Sequence, residues 1–289
     1  MTTAPQAGRP EPTFVLVSGT CGSAAGFVPL QRELALRGRR SLALDMPGHG
    51  TGRPVAYLHG RRDAAALAVE PSPMAGVTFQ QTVEHVITNV RRVREYGPVI
   101  LLGFSMGGAI IGGVGNDAPE IIDRVVYLSA WCPVSTSSMA ECGLLPEQAD
   151  SLLEATPLPV VGDAAELGAF RVDWRGVDEM TFAALKAALA ADATDDEFRA
   201  MLDTMDSDET RAIATADSRV RAETWGRIPR SYLRLTEDRS IPVAMQDRMI
   251  AEADALTPDN RFDVHTLHTT HAAFWHRAAE VAAVLDSLA

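Results

Sequence analysis

Short apolar runs recur along the chain, and each ends in a cluster of turn-forming residues. Phe14-Val-Leu-Val17 leads into Ser-Gly-Thr-Cys-Gly22, and Ser41-Leu-Ala-Leu44 leads into Asp-Met-Pro-Gly-His-Gly50. Pro98-Val-Ile-Leu-Leu-Gly103, Arg124-Val-Val-Tyr-Leu-Ser129 and Ser231-Tyr-Leu-Arg-Leu235 follow, with a weaker run over 262–267. Continuous apolar runs of this length predict strands buried on both faces. Between them lie stretches with helical periodicity, over 27–38 and 78–96; in the second, Val83, Val86, Ile87, Val90 and Val93 share one face. Strands alternating with helices predict an α/β domain, with about six mostly parallel strands and helices on both faces.

Residues 134–229 interrupt this rhythm between the fourth and fifth strands. The segment is too long for a plain connection. Phe182, Leu185 and Leu189 form one apolar face, and Phe198, Met201, Leu202 and Met205 another. Thr194-Asp-Asp-Glu197 reads as a capping box opening the second helix. The segment is therefore expected to be a helical lid, with residues 13–133 and 230–289 as the core and 1–12 as a flexible tail. Residues 163–221 carry 14 acids and 7 bases. These charges read as a solvated helical face, with Met and Phe turned inward toward a pocket. The stretch 53–76, with Pro54, Pro71 and Pro73, reads as a loop that also borders the pocket.

Composition narrows the function. The net charge of −12 disfavours a nucleic-acid partner. No apolar run reaches the ~18 residues of a membrane span, and the first twelve residues hold no apolar core of a secretory signal. Cys21, Cys132 and Cys142 cannot all pair and show no metal-binding spacing, so reduced thiols in a cytoplasm, without zinc, are expected.

The candidate chemistry begins at Gly103-Phe-Ser105-Met-Gly107, followed by Gly108. With 22 glycines in the chain a GxSxG pattern can arise by chance, so its setting matters. Here it lies directly after a predicted strand and before a helix-like stretch, which is the setting of a nucleophile elbow. A serine hydroxyl needs a base, and the base an orienting acid. The strand ending at Leu235 is followed by Thr-Glu-Asp-Arg-Ser-Ile-Pro242, and the strand ending at Leu267 by His268 and His271. Asp238 is favoured over Glu237 by its place in the turn, and His271 over His268 because it lies farther out on the loop. His265 is expected to pack within its strand, His49 to be structural, and His59, His85 and His276 to be surface or helix residues. The oxyanion of an attacked carbonyl needs prepared donors. Met106 N–H and Thr20 N–H are the candidates, with Gly19, Cys21 and Trp131 expected beside the substrate. No charged or imidazole neighbour in sequence activates Cys21 as a nucleophile.

Together the strand-Ser-Gly-Thr, Asp-x-Pro-Gly-His-Gly, Gly-x-Ser-Met-Gly-Gly, Thr-Glu-Asp-Arg-Ser-Ile-Pro and His-Ala-Ala-Phe motifs resemble the α/β-hydrolase superfamily, over roughly 13–133 and 230–289. They are most similar to its compact branch of plant methyl esterases and hydroxynitrile lyases. The resemblance implies Ser105 as nucleophile, His271 as base, Asp238 as its orienting acid, and Thr20 and Met106 at the oxyanion hole. Family members usually carry a histidine where Ser18 stands. The lyases carry threonine where Gly19 stands and lysine where Ala272 stands, so the resemblance is to the esterases. Ser105 also departs from the elbow aspartate of epoxide hydrolases and haloalkane dehalogenases. The expectation is a serine esterase on a small-molecule ester, without metal or organic cofactor, as a monomer or homodimer. The alternatives are a lyase, cyclase or acyltransferase on the same scaffold, and a ligand-binding protein.

Overall fold

A computed structural model describes residues 11–50 and 64–289. The expectations for most of the tail, for His59 and for the first part of the 53–76 loop fall outside the described residues.

Six strands form one parallel sheet: β1 (Thr13–Val17), β2 (Arg40–Leu44), β3 (Val99–Ser105), β4 (Arg124–Ala130), and, after two short strands described below, β7 (Arg230–Leu235) and β8 (Asp263–Leu267). The order across the sheet is β2-β1-β3-β4-β7-β8. The pleat sorts the apolar runs into two cores. Val15, Val17, Leu101, Val125, Tyr127 and Tyr232 face one core. Phe14, Leu16, Ile100, Leu102, Val126 and Leu233 face the other. The central strands are buried on both faces, as their unbroken apolar runs require. The edge strands β2 and β8 are partly exposed, which explains the weaker signal over 262–267.

Helices cover both faces. Helix α1 (Val28–Leu36) packs on the second core. Helix α2 (Phe79–Arg94), opened by a Thr78–Gln81 capping box, and helix α3 (Gly107–Asp117) pack on the first. Chain order runs from β1 outward to β2, then crosses back so that β3 and all later strands extend the sheet the other way. The connections after β1 and β3 therefore diverge at one end of the sheet. Open parallel sheets form their ligand crevice at such a point.

The segment between β4 and β7 contributes α4 (Glu179–Leu189) and α5 (Asp195–Thr204), with several shorter helical turns. Strands β5 (Phe170–Arg171) and β6 (Asp208–Glu209) form a separate antiparallel pair within it. The Thr194–Glu197 capping box opens α5. Phe182 and Phe198 meet with ring centroids 5.2 Å apart, and Leu185, Leu189, Met201 and Leu202 continue the second core. After β7, α6 (Val243–Leu256) packs on the first core and α7 (Ala278–Ser287) on the second.

The acidic stretch departs from its reading as a solvated face. Asp173, Asp206, Asp208 and Glu209 are buried. Asp208 pairs bidentately with Arg171, whose Nε and Nη2 donate to its two carboxylate oxygens at 2.6 Å each. Arg171 Nη1 also donates to the carbonyls of Leu67 and Glu70, at 2.8 Å for Glu70. Asp208 is internal because Arg171, itself fully buried, needs a counter-charge, whereas Glu209 accepts backbone N–H groups of Cys21 and Thr210. Removing one member of a buried pair strands the other. Arg171→Ala is therefore expected to cost about 3–5 kcal/mol, read from urea unfolding, and Arg171→Lys to restore only part of it. The later part of the expected 53–76 loop is helical over Ala64–Val69, and none of its described residues reaches the cavity described below.

Candidate active site

Ser105 is the last residue of β3 and takes a φ of +52°, in the left-handed region that a residue with a Cβ rarely adopts. The surrounding structure enforces it. The strand turns within two residues into α3, and the ladder to β4 shifts register between Phe104 and Ser105. Glycine at 103 and 107 permits the turn: a Cβ on Gly103 would lie 2.5 Å from Gly107 O, and one on Gly107 2.5 Å from Val17 O. The sharp bend sets the serine at the positive end of an eleven-residue helix.

Asp238 and His271 come from the connections after β7 and β8. His271 Nδ1 lies 2.6 Å from Asp238 Oδ2. Both residues are buried, at 3% and 2% exposure. Asp238 Oδ1 accepts backbone N–H bonds from Ser240 at 2.7 Å and Ile241 at 2.8 Å. Ser129 Oγ donates to Oδ2. With its carboxylate filled by donors, Asp238 has one orientation. Nδ1 of His271, facing a carboxylate, is the protonated nitrogen of the neutral ring, which leaves Nε2 as the acceptor. Phe104 packs on the imidazole with centroids 4.7 Å apart. His268 and Glu237, the competing candidates, are exposed. His268 Nδ1 meets Thr236 Oγ1 at 3.1 Å. His265 does not pack in a core; on the edge strand it lies 3.0 Å from Asp263.

The loop that carries His271 is anchored by the segment between β4 and β7. Ala272 N–H donates to Leu189 O at 2.8 Å. Asp192 accepts from Thr269 Oγ1 at 2.8 Å and from Thr270 Oγ1, and its Oδ1 lies 2.7 Å from His276 Nε2. Burial opposes ionisation of Asp192, but the bonds from Thr270, Thr269 and His276 outweigh it and hold the carboxyl below its ordinary range. His276, read from sequence as a surface or helix residue, ends a short helix with its side chain buried against this carboxylate.

The connection after β1 completes the rim. Ser18 Oγ donates to Gly22 O at 2.9 Å, and Gly22 N–H to Gly19 O at 3.0 Å, closing a tight turn. Thr20 Oγ1 lies 3.6 Å from Met106 Sδ, so the turns after β1 and β3 touch. Among the described residues, neither Thr20 N–H nor Met106 N–H donates to a protein acceptor. A Cβ on Gly19 would lie 2.8 Å from Ser105 Cβ.

Ser105 and His271 open into one cavity of about 160 Å³. Its walls include Phe27, Phe104, Phe170, Trp174, Met201 and Phe274, and among the described residues no Asp, Glu, Lys or Arg lines it. Gly19 and Thr20 line it, whereas Cys21 and Trp131 do not. Trp131 belongs to the core beneath α2 and α3, on the sheet face away from the cavity. The Cys21 thiol is fully buried, and burial, reinforced by nearby Glu209, pushes its pKa well above the ordinary value. Trp174, which the sequence reading does not single out, supplies an aromatic wall and is fixed by its Nε1–H donating to Asp206 O at 2.8 Å. No local motif marks it. A Cβ on Gly26 would meet only Thr204 Oγ1 at 3.7 Å and Phe274 at 3.8 Å, so the fold tolerates a side chain there. Gly26→Val is expected to leave thermal stability nearly unchanged while filling part of the cavity, so that binding of an apolar fluorescent probe falls more than tenfold in a titration.

His49, as expected, is structural. It is buried, its Nε2 donates to Asp208 O at 2.9 Å, and it lies 3.6 Å from Glu209 Oε2. Burial pushes the Glu209 carboxyl up, against the pull of His49 and of N–H bonds from Cys21 and Thr210. Among the described residues, no three His, Cys, Asp or Glu side chains are grouped to hold a metal ion, and no helix is long and apolar enough to cross a membrane.

Comparison with known proteins agrees with this architecture. A search of curated protein sequences finds no match. Solved structures superpose over most of the chain. A pyrethroid hydrolase from Sphingobium faniae JZ-2 is 18% identical with a TM-score of 0.69, over 96% of each chain. Polyneuridine aldehyde esterase is 20% identical with a TM-score of 0.69, over 96% of this chain and 99% of its own. Tomato methylketone synthase I, complexed with 2-tridecanone, is 14% identical with a TM-score of 0.64, over 96% and 97%. At these identities the likeness is one of fold. The sequence pattern of the alpha/beta hydrolase family matches residues 14–284, nearly the whole chain. With its parallel sheet and its strained serine between strand and glycine-rich helix, the chain belongs to the α/β-hydrolase family.

Proposed function

We propose that the protein is a serine hydrolase that cleaves a carboxylic ester of a small, largely apolar substrate through an acyl-enzyme. The observation that carries this reading is the buried His271–Asp238 pair opening, with Ser105, into one cavity that none of the described Asp, Glu, Lys or Arg side chains lines. Ser105 Oγ attacks the ester carbonyl while His271 Nε2 takes its proton. The Thr20 and Met106 N–H groups receive the oxyanion. His271 then gives the proton to the departing alcohol, and a water activated by the same nitrogen releases the acid. Asp238 stabilises the imidazolium that forms in each half-reaction. The segment between β4 and β7 acts as the lid, and its Phe170, Trp174 and Met201 select for apolar groups.

A fluorophosphonate probe with peptide mapping tests the nucleophile. The expected adduct is on Ser105, and an adduct on any other residue would reject the mechanism. Turnover in ¹⁸O-water then separates hydrolysis from lyase, cyclase or acyl-transfer chemistry. Hydrolysis puts one labelled oxygen in the acid product, whereas an unlabelled product argues for one of the others.

A further inference from the structure

The proposed chemistry leaves one buried group beside the rim without a role. Glu209 ends β6 with 1% of its surface exposed. Its Oε2 accepts Cys21 N–H at 2.9 Å and its Oε1 accepts Thr210 N–H at 3.0 Å. The same stretch grips Cys21 from the other side, because Asp206 N–H donates to Cys21 O at 2.7 Å. Ser23 Oγ donates to Thr204 O at 2.9 Å just beyond. Residues 204–209 are thus joined to residues 21–23 by three hydrogen bonds. Cys21 itself holds a φ of +54°, a conformation that a residue with a Cβ keeps only under outside constraint. Cys21 N–H shares one rigid peptide plane with Thr20 C=O. Thr20 N–H itself lies in the Gly19–Thr20 plane, whose carbonyl accepts Gly22 N–H at 3.0 Å; with the Thr20–Cys21 plane fixed as well, Thr20 is held between two anchored planes and its N–H keeps its aim.

We propose that Glu209 is a positioning residue, whose carboxylate locks the Thr20–Cys21 peptide so that Thr20 N–H faces Ser105 before substrate arrives. The proposal rests on the serine-hydrolase reading above. A carboxylate suits the task because it only accepts, and can take two N–H groups on two oxygens. Glutamine at this position keeps the shape but offers one acceptor oxygen. Its amide nitrogen must then face either Cys21 N–H or Thr210 N–H, donor against donor. Asp192 plays a comparable part for the His271 loop, but through side chains of Thr269, Thr270 and His276 rather than the backbone of a donor loop.

The test compares wild type with Glu209→Gln in three measurements: the rate of fluorophosphonate labelling, kcat and KM on a short-chain aryl ester, and thermal midpoint. A misaimed oxyanion donor is expected to lower kcat and labelling rate about 10- to 100-fold, with KM and thermal midpoint little changed. Wild-type kcat in the variant overturns the proposal. So does a joint loss of kcat, KM and thermal stability, which is the signature of a merely structural role. If Glu209→Gln does not fold, Glu209→Asp keeps both acceptor oxygens but shortens the reach. A lowered kcat at unchanged KM then supports the proposal, and a wild-type kcat overturns it. Wild-type protein that the probe does not label at Ser105 instead fails the underlying hydrolase reading, which separates the two failures.

Discussion

Ser105→Ala and His271→Ala are each expected to lower kcat on a short-chain aryl ester by about three orders of magnitude or more, with KM changed far less. The double variant should be little worse than either single one, as the proposed pairing of nucleophile and base into one unit requires. The site's geometry also separates this pair from its neighbours in sequence. His268 is exposed and engages Thr236, so His268→Ala is expected to retain wild-type turnover. Wild-type-like kcat in His271→Ala, paired with a loss in His268→Ala, would transfer the base role. Steady-state kinetics on the four variants beside wild type decides it.

Asp238→Asn is expected to lower kcat about a thousandfold while leaving the fold in place. The reason lies in how the carboxylate is filled. Oδ1 accepts two backbone N–H bonds, from Ser240 and Ile241, so an asparagine must put its carbonyl oxygen there. Its NH₂ group then occupies the place of Oδ2 and points at His271 Nδ1. Facing a donor, Nδ1 must become the acceptor and the proton moves to Nε2. In that tautomer the imidazole cannot receive the Ser105 proton. Ser129, buried with a φ of +38°, loses its acceptor at the same time, so a modest drop in thermal midpoint should accompany the kinetic loss. The discriminating measurement is kcat beside a thermal melt: a variant that loses activity only because it unfolds argues against the tautomer account.

The framework of the fold was readable because its signals are local. The apolar runs of β1, β3 and β4 are unbroken since helices cover both faces, and the turn after each run stands at the same end of the sheet. Ser105 was marked by its two glycines, and Asp238 and His271 by their positions after β7 and β8. Trp131 shows where position alone falls short. The alternation along β4 breaks at Ser129, whose φ is +38°, and both Ala130 and Trp131 then join Val125 and Tyr127 in the core beneath α2 and α3. The walls and supports contributed by the segment between β4 and β7 were not legible. Trp174, Asp192 and Glu209 carry no motif, and their partners lie far away along the chain, at Asp206, at 269–276 and at Cys21. The acidic count over 163–221 was correct as a count, but number alone does not tell a solvated carboxylate from one that neutralises Arg171 or holds a buried backbone N–H.

The hydrogen bonds that run from residues 189–209 to both the Thr20 loop and the His271 loop bear on how such proteins can be re-engineered. The segment between β4 and β7 is not an interchangeable hood. A chimera that imports this segment from another member of the family removes Asp192 from Thr269 and Thr270, and Glu209 from Cys21. On the roles proposed above, such a chimera is expected to lose reactivity as well as its apolar walls. Transplants that carry the donor's own residues at 21–23 and 269–276 together with the donor segment are the ones that should keep working, since the unit of inheritance here is a joint rather than a module.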